Sequence, residues 1–168
     1  MDIRDLKPED AGMVSEIYNY YVLNSVASFE TAPVGTVEMR KRLKGIIGRY
    51  PAFAAFEDGR MVGYCYAHAW RERAAYSHTW EATIYLDHNY TGHGLGMKMM
   101  QELMRRCSQE DCHALIADIT ASNQASIRMC EKLGFHQIAF NREVGYKFGQ
   151  VLSTVYYEYI FPTHRFHS

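Results

Sequence analysis

The sequence predicts an α/β fold of the α+β kind: a mixed, mostly antiparallel central sheet of about six to seven strands flanked by about four helices. Three observations predict it. Apolar residues alternate in several short runs, and other runs repeat at helical spacing. A two-residue turn signal, Asp58-Gly59, joins two neighbouring strands, which makes that pair antiparallel. The order of elements, strand, two helices, three antiparallel strands, helix, strand, helix and two strands, calls for a mixed sheet covered by helices and not a doubly wound parallel one.

Asp2–Leu6 reads as a short strand, and Pro8-Glu9-Asp10 opens a helix with proline and acids in its first turn. Val14, Ile17, Tyr18, Tyr21 and Val22 share one face of that helix. Thr36 is the expected N-cap of a second helix carrying Val37, Leu43, Ile46 and Ile47. Pro51–Glu57 and Arg60–Trp70 flank Asp58-Gly59, a hairpin signal, and Ser77–Leu86 is the next strand. A helix follows Gly94 and ends near Arg105-Arg106, cations that suit its carboxyl end. His113–Ile119 reads as a buried strand and Asn123–Leu133 as a helix closed by Gly134. Ile138–Tyr146 and Leu152–Phe161 form a closing antiparallel pair, and Tyr156, Tyr157 and Tyr159 suit a sheet centre or a dimer interface.

The 168 residues show no repeat, linker or low-complexity tract, so one domain over residues 1–168 is expected. A net charge of -1 gives no electrostatic footprint for nucleic acid or an anionic membrane. No apolar run approaches the roughly 20 residues of a membrane span, and Met1-Asp2-Ile3-Arg4-Asp5 does not read as a signal peptide, so cytoplasmic residence is expected. The four cysteines read as buried reduced thiols. Cys107, Cys112 and His113 lack a fourth ligand for zinc, so no metal is expected.

Thr91-Gly92-His93-Gly94-Leu95-Gly96-Met97 carries the chemistry. A glycine-rich turn leading from a strand into a helix presents free backbone N–H groups, reinforced by the helix dipole, and so binds a phosphate or pyrophosphate. Met97 stands where a dinucleotide fingerprint needs its third glycine, and the Gly-Lys-Ser/Thr of a triphosphate loop is missing. Taken alone, the turn is equally well a tight connection with no ligand.

One strand later comes Asn123-Gln124-Ala125-Ser126-Ile127-Arg128-Met129-Cys130-Glu131-Lys132-Leu133-Gly134-Phe135. Together the two segments resemble the GNAT superfamily of N-acetyltransferases. The resemblance narrows through Ser28-Phe29-Glu30-Thr31, Trp70-Arg71-Glu72-Arg73-Ala74-Ala75-Tyr76, Glu81 before Ile84-Tyr85-Leu86, and Gly145-Tyr146-Lys147-Phe148-Gly149. This series is similar to the phosphinothricin and methionine sulfone/sulfoximine N-acetyltransferase branch, and it covers nearly the whole chain.

The resemblance implies acetyl-CoA as co-substrate, the α-amine of a small amino acid or analogue as acceptor and a homodimer, with a polyamine, an aminoglycoside or a protein N-terminus as the alternative acceptor. It implies that the amides of Gly92, His93, Gly94, Leu95, Gly96 and Met97 hold the pyrophosphate, with Asn123 near the pantetheine and Lys132 on the cofactor side. Ile84, Tyr85 and Leu86 are the implied source of an N–H for the developing oxyanion. Glu81 is the implied base; a structural carboxylate is the alternative. Cys130 stands where relatives carry Tyr or His, and its thiol is the candidate acid or else an inert buried group. Phe29, Glu30, Tyr76 and Lys147 match the acceptor end, and Arg73 suits an α-carboxylate. The absence of an acidic cluster argues against polycationic acceptors. Thr91 replaces the usual Gln or Arg, and Gln150-Val151 replaces Arg-Trp, which puts CoA affinity and the acceptor in question. A non-catalytic acyl-CoA-binding domain, needing neither Glu81 nor Arg73, is the alternative outside enzymes.

Overall fold

Period-2 and period-3.6 apolar patterns assemble here into two helical layers on one sheet. The computed structural model describes residues 1–167. In chain order they form β1 (Asp2–Asp5), α1 (Ala11–Asn24), α2 (Thr36–Lys44), β2 (Ala52–Glu57), β3 (Arg60–Ala69), β4 (Thr79–Leu86), α3 (Leu95–Ser108), β5 (Ala114–Thr120), α4 (Gln124–Lys132), β6 (His136–Lys147) and β7 (Gln150–Ile160). The sheet order is β1-β2-β3-β4-β5-β7-β6. Only β4 and β5 run parallel, joined by the crossover helix α3; every other pair is antiparallel.

Local chemistry accounts for the connections. Asp58 and Gly59 both take positive φ, 51° and 77°, as a type I′ hairpin turn requires. Gly134, at φ 91°, ends α4 as expected. Thr36 is the first residue of α2 and not its cap: Gly35 holds that position, and its carbonyl accepts from Met39 N–H at 2.9 Å.

One face of the sheet buries Met99, Leu103 and Cys107 of α3 against Trp80, Leu115 and Ala117. The other packs Val14 and Ile17 of α1 and Met39 and Leu43 of α2 against Ala54, Phe56 and Tyr64. β7 lies between β5 and β6, so its tyrosines belong to the sheet interior. All four cysteines are free and buried, and Cys112 Sγ–H donates to the carbonyl of Ala114. No described helix is long and apolar enough to cross a membrane.

The feature that positions the site is a fork. β4 and β5 pair only from Thr79↔Ala114 to Glu81↔Ile116. Beyond that point β4 stays with β3 as far as Leu86, and β5 stays with β7 as far as Thr120. The inner edges of the fork therefore carry backbone polar groups without a strand partner, available to a ligand.

Candidate active site

Alternation along β4 sorts its side chains between the two layers. Ala82, Ile84 and Leu86 pack with α3 and α4, whereas Tyr85 packs on the α1/α2 side with Tyr64 and Tyr66. Glu81 shares Tyr85's parity and so faces the α1/α2 side at the vertex of the fork. The cleft between the diverging strands measures about 680 Å³ including its open mouth, and Glu81, Ile84, Tyr85, Asp118, Asn123 and Cys130 are among its lining residues.

Glu81 is three-quarters buried, and that burial, with the charge of Asp118 as the smaller cause, pushes its pKa up to about 7. Asp118 is itself raised by burial. It lies two residues beyond Ile116, the register partner of Glu81, and so on the same face. His68 is the partner of Glu81 on β3, with Nε2 3.6 Å from Oε2. An ion pair would lower the carboxyl and raise the imidazole. Both shift the other way, His68 downward through burial, so this contact joins groups whose neutral forms are favoured. A glutamate titrating near neutrality in a cleft can hold or release a proton at physiological pH.

The glycine turn meets the α3/α4 side of the fork. Gly92 and Gly94 take φ of 80° and 79°, and Gly94 caps α3 in the left-handed conformation. Lys98 N–H to Gly94 C=O, 3.2 Å, is the first bond of the helix, so the N–H groups of Leu95, Gly96 and Met97 have no helical acceptor. The first turn of α3 contains no acid that would compete for them. Asn123 caps α4 by accepting from Ser126 N–H at 3.3 Å, and it also lines the cleft.

On the other side, the loop after α1 is fastened across the mouth of the fork. Thr120 Oγ1–H donates to Val26 O at 2.7 Å, and Tyr18 OH and Ser28 Oγ lie 2.7 Å apart. Tyr21 OH donates to the carbonyl of Leu86, occupying one acceptor at the end of β4. Phe29 and Glu30 border this half of the cleft together with Glu81 and Asp118. Glu30 is engaged by Arg42 in a two-pronged pair, 3.0 and 2.7 Å, which holds its pKa below the usual carboxylate range.

Several expected site residues stand elsewhere. Lys147 is buried, and its Nζ donates to Ser28 O, Ser25 O and Tyr21 O at 2.6, 2.7 and 3.4 Å. Its ammonium group thus faces carbonyls of α1 and of the loop after it, and it ties β6 to them. Arg73 and Tyr76 border a separate surface depression with Arg71 and Glu72, outside the fork. Lys132 is exposed at the carboxyl end of α4, away from Asn123 at the other end. Cys130 does line the cleft, but burial pushes its thiol up to about 11, which makes it a weak acid.

His68 and Asp118 were not singled out from the sequence. Asp118 left a signal, a lone carboxylate within the apolar run Ala114–Thr120. His68 left none, because only the β3–β4 register places it beside Glu81. The acidic grouping that the sequence did not display, Glu81, Asp118 and Glu30, is assembled from three separate segments.

Known proteins resemble this chain in sequence and in fold. A phosphinothricin N-acetyltransferase of Alcaligenes faecalis is 34% identical over 155 residues, 91% of this chain and 79% of that protein. An L-methionine sulfoximine/L-methionine sulfone acetyltransferase of Salmonella typhimurium is 33% identical, over 93% of this chain and 92% of that one. The crystal structure of a phosphinothricin acetyltransferase from Sinorhizobium meliloti in complex with acetyl-CoA superimposes with a TM-score of 0.91 at 34% identity, covering 95% of this chain and 87% of that one. Residues 14–135 match the sequence model of the Acetyltransferase (GNAT) family, and the chain belongs to that family.

Proposed function

We propose that this acetyl-CoA-dependent N-acetyltransferase, one domain over residues 1–168, acetylates the α-amine of a small amino acid or amino-acid analogue of the phosphinothricin or methionine sulfoximine/sulfone type. The observation that carries the reading is Glu81, held at the vertex of the fork with its pKa pushed up to about 7. The names of the relatives support the acceptor class.

In this reading the free amides of the Gly92–Met97 turn hold the pyrophosphate of acetyl-CoA, and the thioester enters the fork along the unpaired inner edge of β4. An N–H from Ile84–Leu86 steadies the carbonyl oxygen as it takes up negative charge. The acceptor amine approaches from the α1/α2 side and gives its proton to Glu81, and its nitrogen forms the bond to the acetyl carbon as the C–S bond breaks. Raising Glu81 from 4.5 to about 7 brings it closer to the amine and eases that proton transfer by about 3 kcal/mol. The Cys130 thiol is too weak an acid to be required, and the CoA thiolate leaves unaided. Recognition of an α-carboxylate by Arg73 requires residues 70–78 to fold over the cleft.

A second acceptor class has one observation in its favour. Among the described residues, Glu81 and Asp118 border the acceptor side without an arginine or lysine paired to either, whereas Glu30 beside them is already neutralised by Arg42. That lining suits an acceptor with a second positive charge, a diamine or a basic amino acid. The four unpaired cysteines support a reducing, cytoplasmic setting. The exposed apolar residues Phe140, Val144, Tyr146 and Val151 of the β6–β7 hairpin support a homodimer through that edge.

The test is a thiol-release assay with acetyl-CoA over phosphinothricin, methionine sulfoximine, methionine sulfone, neutral and basic amino acids, and polyamines. Turnover with the first three and little with polyamines is the expected result. Saturable acetyl-CoA binding without release for any amine would overturn the enzymatic reading.

A further inference from the structure

Away from the fork, the tail beyond β7 packs against the closed end of the β4–β5 pair. His78 immediately precedes β4, Asp111 and His113 precede β5, and His164 lies in the tail. The backbone brings these segments together: His113 N–H donates to His78 O at 2.8 Å, and Phe161 N–H donates to His113 O at 2.9 Å.

Three side chains converge there. The His164 side chain is 5% exposed, and its Nε2 makes a 2.7 Å hydrogen bond with Asp111 Oδ1. His78 Nδ1 lies 3.0 Å from the same oxygen, yet it is buried and makes no hydrogen bond. The donor atoms of all three residues lie within 4.8 Å of one another. A nitrogen that close to a carboxylate oxygen, but off the hydrogen-bond axis, is arranged like the edge of a coordination polyhedron. Donors about 2.0–2.1 Å from one ion stand roughly 3.0–3.4 Å apart. A buried ring nitrogen left without a partner is costly, and a shared cation removes that cost for His78.

We propose that His78, Asp111 and His164 form a binding site for one divalent first-row transition ion, zinc above all, that clamps the tail onto the start of β4 and β5. Two imidazoles and one carboxylate suit such an ion, whereas magnesium and calcium prefer all-oxygen sites. Water completes the coordination on the open side, where Asp111 is exposed. The site is distinct from Cys107, Cys112 and His113, the group the sequence brought to mind, and it takes no part in acetyl transfer. Its function is to fasten Phe161–His167 at the end of the parallel ladder opposite the fork.

The experiment needs no enzymatic activity. Protein stripped with a chelator is titrated with Zn2+ by calorimetry and with Co2+ by visible absorption, and its melting temperature is followed with each ion. One ion per chain, a Kd of about micromolar or tighter, cobalt d–d bands and a rise in melting temperature are expected, with no response to Mg2+. Asp111→Asn and His164→Ala, each checked for native circular dichroism, lower the affinity at least about 100-fold, because each removes a direct ligand. Stoichiometric binding retained in both variants overturns the assignment. So does a wild-type protein that takes up neither ion at millimolar concentration, which would leave these residues as a hydrogen-bonded clasp.

Discussion

Replacing Glu81 by glutamine keeps the shape of the side chain and removes its ability to accept a proton. The expected loss can be worked out from the acceptor. An amine with a pKa of about 9.5 is neutral in roughly 1 molecule in 300 at pH 7. In the proposed mechanism the wild-type enzyme uses the abundant ammonium form, because Glu81, at about 7, is about half ionised there. Glu81→Gln must wait for the rare neutral amine, so kcat/KM falls about 150-fold at pH 7, within the usual range for a lost general base. The deficit then shrinks about tenfold for each pH unit and nearly disappears by about pH 9.5. Wild type, in contrast, follows an acid limb centred near 7. The assay is CoA thiol release from pH 6 to 10 at saturating acetyl-CoA. A loss of the same size at every pH would refute the reasoning, since only a missing base is rescued by prior deprotonation of the acceptor.

The same substitution should stabilise the fold. Because the folded pKa of Glu81 lies above its ordinary value, ionisation opposes folding progressively between about pH 4.5 and 7. Glu81→Gln therefore gains up to about 3 kcal/mol in urea unfolding at pH 8 and nothing at pH 4; an unchanged midpoint at pH 8 contradicts this. Asp118→Asn removes the neighbouring carboxylate, and the acid limb of kcat/KM moves to lower pH while the acetyl-CoA KM holds; a limb that stays in place rules out coupling between the two groups. Lys147→Met leaves the loop carbonyls of Ser25 and Ser28 without this donor and costs at least about 2 kcal/mol in denaturant unfolding, and it raises the acceptor KM; a cost under about 1 kcal/mol shows that the loop is held by other contacts. Cys130→Ala keeps kcat within about threefold if the thiolate leaves unaided, and a loss above about tenfold would restore Cys130 as the acid.

The sequence by itself determined the elements, because each rests on local chemistry. Asp58-Gly59 requires a hairpin, Gly94 requires a left-handed entry to α3, and Gly134 a left-handed exit from α4. It also determined the glycine turn, whose proposed role as a phosphate cradle rests on backbone amides and a dipole that no distant contact supplies. Glu81 was legible through its neighbours in the motif.

Tertiary structure alone decided the chemistry around it. The fork exists because β4 and β5 each keep their outer partner beyond Glu81↔Ile116, and strand pairing across that distance in sequence has no local signature. The same pairing sets His68 and Asp118 beside Glu81, and burial there turns an ordinary carboxylate into one that titrates near neutrality. Lys147 shows the converse. Its motif pointed to the acceptor, but carbonyls of α1 and of the loop after it, those of Tyr21, Ser25 and Ser28, reach its ammonium group first. A charge in sequence reveals what a residue can bind, and only the fold reveals what it has already bound.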